Sequence, residues 1–133
     1  MLLVLVIKSV IQAIVDINRT LLLSDVEYFS SYERSYCLSK TNPLASFAGI
    51  LCAKAAFMSA IAHSAHPDCT FADVEVRHSA TGRPWIGLVG PLAQWCQEQR
   101  LAIDTSISHS GEFAAATVLL YSTQQKGHLQ QLP

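Results

Sequence analysis

The sequence predicts a single α+β domain, and three features indicate this class. Between residues 44 and 62, apolar side chains recur at three- and four-residue steps, which is typical of a buried helix. Residues 71–79 alternate between apolar and polar, and two further strand-like segments follow near the C-terminus. We expect residues 1–121 to form the domain and residues 122–133 to form a flexible polar tail.

The composition bounds the possible partners. The chain has 133 residues, of which 50% are hydrophobic and 14% are charged, and its net charge is −1. Globular chains average about 25% charged residues, so we expect part of the surface to be buried against other subunits. Non-specific nucleic-acid binding needs a clustered basic surface, and this charge balance argues against it.

The N-terminal stretch "MLLVLVIKSVIQAIVDI" is apolar but is interrupted by Lys8, Gln12 and Asp16. It is shorter than the ~20 residues of a membrane-spanning helix, and it lacks the leading positive charge and cleavage site of a signal peptide. We therefore predict a buried β segment and no membrane association.

Cysteine usage indicates a reducing compartment. Four widely spaced cysteines form no C-x-x-C pair and predict neither a zinc site nor a disulfide framework. We expect reduced thiols in a cytoplasmic protein.

The next segments are predicted in chain order. "TLLLSDVEYFSS" suits a short helix through Leu21, Leu22, Val26 and Phe29, with Ser24 or Asp25 as its cap. Asn42-Pro43 marks a boundary, since a residue before proline is steered away from helix.

The long apolar helix begins after this boundary. Gly49 weakens it by ~1 kcal/mol relative to alanine. Lys54 is its only charge. Such a lysine either extends to solvent or points at an anion.

The second half of the chain is predicted to be richer in strands. "FADVEVRHS" leads through a Gly82-Pro84 turn into a strand over 85–89, which together form a hairpin. Pro91 then begins a short amphipathic helix. "LAIDTSISHS" and "FAAATVLLYS" are the last two strands, joined by a tight Ser-Gly-Glu turn.

Several of these segments, in this order, resemble one enzyme family. "SFAGILCAKAAFMSAIA" is similar to the helix that carries a K-E-A motif in holo-acyl-carrier-protein synthases, and "TFADVEVRHSATGRPWI" is similar to their hairpin. "TSISHSGEFAAATVLL", "YFSSYERSYCLS" and "IVDI" resemble three further family motifs. The resemblance covers roughly residues 12–121 and implies a 4′-phosphopantetheinyl transferase-like fold, an antiparallel sheet packed on a long central helix.

The resemblance also implies an activity. Such enzymes are trimeric, bind coenzyme A and Mg²⁺ between subunits, and transfer phosphopantetheine to a serine of an acyl carrier protein. Asp16 matches the metal ligand, Lys54 the lysine of K-E-A, and His109 the nucleotide-contacting segment, which implies catalytic roles for these three. The residues that it implies for coenzyme A binding are Lys54, Gly82, Arg83, Pro84, Ser108, His109 and Ser110.

The chain departs from the family at several positions. Ala55 replaces the glutamate that would be the second Mg²⁺ ligand, and Glu33 or Glu75 are the acidic residues considered as substitutes. Ile50 and Ser59 stand where relatives usually have basic residues. "TLLLSDVEYFSS" contains no lysine or arginine, so an ordinary acidic carrier would be a poor partner for this surface.

Three hypotheses follow from these matches and departures. In the first, the chain is an active transferase that forms a homotrimer. In the second, it is a silent family member in a mixed oligomer with a paralogue. In the third, it is an α+β domain without a coenzyme A site. Single residues also have ordinary structural roles. Asp16 could be a helix cap, and His109 a turn residue.

Overall fold

The computed structural model describes residues 2–19 and 27–123. These ranges contain five strands and three helices with both ends described, and residues 17–19 are also helical. A 3-10 turn lies at Ile14–Asp16 and another at Phe71–Asp73. The bounds are β1 Leu2–Ala13, α1 Ser31–Leu38, α2 Pro43–Ile61, β2 Val74–His78, β3 Pro84–Leu88, α3 Gly90–Glu98, β4 Leu101–Ser110 and β5 Phe113–Thr123. The predicted α+β class is confirmed.

The strands form two antiparallel pairings. β1, β5 and β4 make a three-stranded sheet with β5 in the centre, and β2 and β3 make a separate hairpin. Side chains alternate across β5, so Ala114, Ala116, Val118 and Leu120 are buried on one face. α2 packs against all three strands of this sheet. We call the face that carries these buried side chains the inner face and the opposite one the outer face.

α2 is the core helix, and its prediction from periodicity is confirmed within one residue at each end. The Asn42 side chain accepts a hydrogen bond from the Ala45 amide at 3.2 Å, and Pro43 occupies the first turn. By length and composition α2 could cross a membrane, but 67% of its most apolar window is buried inside the domain. It is therefore placed as the core helix of a folded domain.

Gly49 has a packing role in α2 that offsets its poor helix propensity. A Cβ atom built at this position would lie 2.6 Å from Cγ2 of Ile107 on β4. The glycine therefore permits the helix to approach the sheet closely.

The N-terminus of α1 is capped by reciprocal hydrogen bonds. Ser30 Oγ accepts a hydrogen bond from the Glu33 amide at 3.1 Å, and Glu33 Oε1 accepts one from the Ser30 amide at 2.8 Å. This reciprocal pair is a capping box. The helix predicted earlier in the chain, with its Ser24 or Asp25 cap, lies largely outside the described residues, and Phe29 precedes α1 rather than lying in a helix.

The prediction for the N-terminal stretch is half right. β1 is a strand, but the expected burial is wrong, because Ile7 is 60% exposed and Ile11 is 72% exposed. β1 is an edge strand, and no described element covers its outer face. Hydrophobicity alone could not reveal this, since it does not show which face of a strand a helix covers.

The remaining boundaries match the sequence closely. The predicted hairpin and the helix beginning near Pro91 are confirmed. The tight turn between β4 and β5 holds Gly111 at φ 59°. β5 extends to Thr123, two residues beyond the predicted domain end, and residues 124–133 lie outside the described part of the chain.

Candidate functional site

Two helices, the hairpin and β4 enclose a cleft of about 170 Å³. We call it the nucleotide cleft, after the coenzyme A-binding role that the family resemblance implies for three of its lining residues. Its lining residues are Tyr36, Ala45, Ser46, Ile50, His78, Gly82, Pro84, Ile107 and His109. Gly82, Pro84 and His109 were singled out from the sequence as cofactor-binding residues, and the fold brings them together although they come from separate segments.

The hairpin turn supplies one wall of the nucleotide cleft. Gly82 has a φ of 87°, a conformation that side chains other than glycine rarely adopt. The Ser79 amide donates to the Arg83 carbonyl at 2.9 Å, and the Ser79 hydroxyl accepts from the Arg83 amide at 3.2 Å. These bonds fix Pro84 at the start of β3, where it lines the cleft.

Arg83 points elsewhere. Its side chain is 76% exposed, and Nη2 lies 3.8 Å from the Asp104 carboxylate on β4. It does not line the nucleotide cleft, in contrast with its neighbours in the turn. A weak, solvent-exposed ion pair of this kind leaves the guanidinium free to reach a ligand at the rim.

His109 lies at the end of β4, between two clefts. Besides the nucleotide cleft, it lines an apolar cleft of about 430 Å³ together with Ser108, Ser110 and residues of β1 and β5. Alternation along β4 places His109 on the inner face and the two serines on the outer face. The predicted binding segment is therefore divided between the two sides of the strand.

Of the two alternatives expected for Lys54, the structure has the one in which the lysine meets an anion. It is fully buried and does not extend to solvent. Its Nζ donates to Glu33 Oε1 at 2.8 Å and to the Tyr28 carbonyl at 2.7 Å. Burial lowers the pKa of Lys54, and the neighbouring Glu33 carboxylate opposes that shift. The anion that this lysine meets belongs to the protein, and Lys54 does not line the nucleotide cleft.

Glu33 is fully occupied by structural bonds. Beyond Lys54 and the Ser30 amide, its Oε2 accepts a hydrogen bond from the Val76 amide of β2 at 2.8 Å. The carboxylate thus ties α1, α2 and β2 together in the interior. Glu75, the other acidic residue considered as a metal ligand, pairs with Arg77 at 2.6 Å. Both carboxylates therefore already have partners within the protein.

Asp16 ends the 3-10 turn that follows β1 and is exposed. The turn is fixed by a 2.8 Å hydrogen bond from the Ile14 amide to the Glu112 carbonyl, and it packs on α2. Among residues 2–19 and 27–123, no group of three His, Cys, Asp or Glu side chains is arranged to hold a metal ion. Mg²⁺ is commonly bound by one or two carboxylates and substrate phosphates, so Asp16 alone fits an ion held mainly by its substrate.

Two residues that the sequence analysis did not select contribute an aromatic wall. The His78 ring stacks on Tyr36 at 3.8 Å between centroids with an interplanar angle of 6°. Burial, and secondarily Lys40, lower the pKa of His78. A signal was present in the sequence, because the period-two alternation puts His78 on the same face as the buried Val74 and Val76.

The four cysteines are free thiols in the described structure. Burial raises the pKa of Cys37 and Cys96 to about 12 and that of Cys52 to about 11. These three thiols are therefore protonated at neutral pH and act as small core hydrophobes.

Comparisons with known proteins place this geometry in a family. No protein-family model matches the chain. A holo-[acyl-carrier-protein] synthase of Verminephrobacter eiseniae is 43% identical over 74 residues, which are 55% of this chain and 56% of that protein, so the match spans little more than half of that relative. The synthase of Halothermothrix orenii is 31% identical over 117 residues, covering 80% of this chain and 90% of that protein.

A solved structure agrees. The holo-(acyl-carrier-protein) synthase from Bacillus anthracis, crystallised in complex with CoA (3′,5′-ADP), has 25% sequence identity and a TM-score of 0.72, with 91% of this chain and 99% of that chain covered. The predicted fold is thus confirmed. Sequence and structure together show that the chain belongs to the holo-[acyl-carrier-protein] synthase family.

Proposed function

We propose that this protein transfers 4′-phosphopantetheine from coenzyme A to a serine of an acyl carrier protein. The observation that carries the proposal is the nucleotide cleft, where Gly82, Pro84 and His109 converge from two separate segments. The proposal is also supported by the structural similarity of this chain to a synthase crystallised with CoA (3′,5′-ADP).

The lining of the nucleotide cleft suits the nucleotide end of coenzyme A. Ile50 and Ile107 supply apolar surface, against which a flat base can pack. The His109 imidazole lies at the opening shared with the second cleft, where it can donate a hydrogen bond to a phosphate. Exposed Arg83 supplies positive charge at the rim.

In the reaction, the carrier serine oxygen forms a bond to the phosphorus that bears the pantetheine arm. The bond from that phosphorus to the bridging oxygen breaks, and adenosine 3′,5′-bisphosphate leaves with the electron pair. The serine proton passes to solvent or to a nearby base. His109 and Arg83 hold the nucleotide phosphates in line with the attacking hydroxyl, which is a positioning contribution. Lys54 acts indirectly, because it fixes the packing of α1 and α2 through Glu33.

Asp16 is the residue that would hold Mg²⁺. When bound, this ion neutralises the negative charge that accumulates on the phosphate oxygens. Because Ala55 contributes no ligand, phosphates and water would complete the coordination shell. We expect metal affinity to be low without substrate and to rise when coenzyme A is present.

The outer face of the sheet supports self-association. Ile7, Ile11 and Phe113 are exposed there, and the second cleft opens between the last two of them. Exposed apolar patches of this kind mark interfaces. We propose that further copies of this chain, or a paralogue, cover this face as a trimer, so that the two clefts at His109 lie near a subunit boundary. The cytoplasm, where carrier proteins and coenzyme A meet, is the proposed location.

A second candidate function has one specific observation in its favour. Position 55 of α2 is an alanine and contributes no carboxylate, and Glu33 is committed to the core. A silent subunit that binds nucleotide and assembles with an active paralogue would tolerate the loss of the carboxylate at position 55. The variant Ala55→Glu separates the two, with Ala55→Gln as the uncharged control. An active enzyme gains roughly 10- to 100-fold in rate from the added carboxylate, the scale on which metal-site partners act.

The first experiment on binding is a calorimetric titration of coenzyme A into the purified protein, with Mg²⁺ and again with chelator. Saturable binding that strengthens with Mg²⁺ supports the proposal. An affinity that is the same with Mg²⁺ and with chelator supports the silent subunit. A lack of binding in both conditions contradicts both candidate functions.

The variant Gly82→Val tests the cleft, because a valine at this position cannot adopt φ 87° without strain. Thr81→Val is the matched control, since it alters the same turn at a residue with ordinary φ.

A further inference from the structure

We propose that Asp104 competes with the phosphates of a bound nucleotide for Arg83, and so limits how tightly the site holds phosphate-bearing ligands. Asp104 then acts on affinity through Arg83, without contacting the ligand itself. This inference rests on the proposed function, in which Arg83 meets the nucleotide phosphates.

The first support is where the Arg83 side chain lies. Gly82 and Pro84, on either side of it, line the nucleotide cleft, but Arg83 does not. Its Nη2 atom instead lies 3.8 Å from Oδ1 of Asp104, and its side chain is 76% exposed. The guanidinium is therefore held beside the cleft by a carboxylate of the protein.

The second support is that the carboxylate itself is held in place. Asp104 on β4 and Tyr121 on β5 both lie on the outer face of the sheet. The Tyr121 hydroxyl donates a hydrogen bond to Oδ2 of Asp104 at 3.0 Å, which leaves Oδ1 for Arg83. Burial, and secondly this hydrogen bond, raise the pKa of Tyr121, so the phenol stays protonated and donates at neutral pH. Asp104 is thus a fixed competitor for the guanidinium.

The third support is that the pair between Arg83 and Asp104 is easily exchanged. A separation of 3.8 Å is beyond hydrogen-bond range, so the attraction is only Coulombic. Solvent also screens it, because both side chains reach the surface. A phosphate can accept two short charge-assisted hydrogen bonds from a guanidinium, and these are stronger. A nucleotide phosphate at the rim can therefore take Arg83 from Asp104.

The competition has a consequence for product release. A ligand that engages Arg83 must first break the pair with Asp104, so its net affinity is reduced by the strength of that pair. When adenosine 3′,5′-bisphosphate leaves, the pair forms again. Asp104 therefore weakens the binding of the product and favours its release.

The test is a double-mutant cycle on binding. Asp104→Asn keeps the shape of the side chain and removes its charge, and Arg83→Gln removes the guanidinium. Calorimetric titrations with adenosine 3′,5′-bisphosphate and with coenzyme A give Kd for the unaltered protein, both single variants and the double variant. Asp68→Asn removes an exposed carboxylate outside the cleft lining and controls for net charge. Each titration is made at about 20 mM and at about 0.5 M salt, which screens exposed charges.

The expected result is tighter binding when the competing carboxylate is removed. Asp104→Asn should lower Kd about two- to fivefold at low salt, the range of an exposed ion pair, and high salt should remove most of this gain. In the Arg83→Gln background the same change should alter Kd by less than about 1.5-fold, because the coupled partner is gone. Asp68→Asn should leave Kd unchanged.

Several results would overturn the inference while the protein still binds nucleotide. An unchanged or weaker affinity in Asp104→Asn would show that Asp104 does not compete for Arg83. An equal gain in Asp68→Asn, or in the Arg83→Gln background, would show that the lost negative charge acts on the phosphates without Arg83. An Arg83→Gln variant that binds as tightly as the unaltered protein would remove the phosphate contact itself. If the unaltered protein binds neither the bisphosphate nor coenzyme A, the proposed function fails.

Discussion

The buried pair between Lys54 and Glu33 makes a sharp prediction about stability. Lys54→Met removes the ammonium and retains an unbranched side chain of similar length. The Glu33 carboxylate is then left in the interior with the Ser30 and Val76 amides but without a counter-charge. The free energy of unfolding should fall substantially, because the partner carboxylate cannot reach solvent.

The magnitude follows from the burial of both groups. Their side chains are 1% and 0% exposed, so solvent does not screen the pair. Breaking a buried pair by removal of one partner costs about 3–5 kcal/mol. For a domain of this size each kcal/mol shifts the melting temperature by roughly 4 °C, which gives a decrease of about 12–20 °C.

Glu33→Gln with Lys54→Met completes a double-mutant cycle. The double variant has no isolated buried charge, so it should be more stable than Lys54→Met alone, with a coupling energy of at least about 1–3 kcal/mol. Lys8→Met, at an exposed position, serves as the control. Urea unfolding followed by circular dichroism gives the four free energies. A loss below about 1 kcal/mol in Lys54→Met would refute the buried pair, since that is the range of surface ion pairs.

Three further predictions concern packing, capping and pH. Gly49→Ala should destabilise the fold, because overpacking against Ile107 costs about 1–3 kcal/mol and outweighs the ~1 kcal/mol gain in helix propensity. Thermal unfolding of the double variant Gly49→Ala with Ile107→Leu should show that part of this stability is recovered. Ser30→Ala should lower the free energy of unfolding by about 1 kcal/mol because the capping box is lost, whereas Ser31→Ala should leave it nearly unchanged. Equal losses in the two variants would contradict the capping role of Ser30. The pKa of His78 is lowered in the folded state from its ordinary 6.5, so the unfolded chain binds the extra proton and stability should fall as pH drops below about 6.5. His78→Phe should flatten that part of the stability profile, and identical profiles would show that His78 is not desolvated.

Local patterns in the sequence predicted most of the elements. The α2 stripe, the Asn42-Pro43 boundary and the Gly82 turn each encode local geometry, and the structure has a helix end or a turn at each. Family resemblance added the grouping of Gly82, Pro84 and His109, which local patterns could not give.

The rest depended on long-range contacts. Lys54 and Glu33 lie 21 residues apart, and nothing local distinguishes a lysine that is paired in the core from one that extends to solvent. The burial predicted for β1 failed for a related reason, since a run of apolar residues does not show whether the outer face is covered within the chain. Tyr36 and His78 meet only because α1 packs on β2.

The central claim is tested most directly by the transfer reaction. The protein, coenzyme A and an apo-acyl carrier protein encoded by the same genome are incubated with Mg²⁺ or with chelator, and intact-protein mass spectrometry follows the carrier. A carrier whose acceptor serine is changed to alanine is the control. The account predicts that the carrier gains the mass of one phosphopantetheine only with Mg²⁺, with release of an equal amount of adenosine 3′,5′-bisphosphate. An unmodified carrier at stoichiometric protein concentration, with coenzyme A bound, would contradict it.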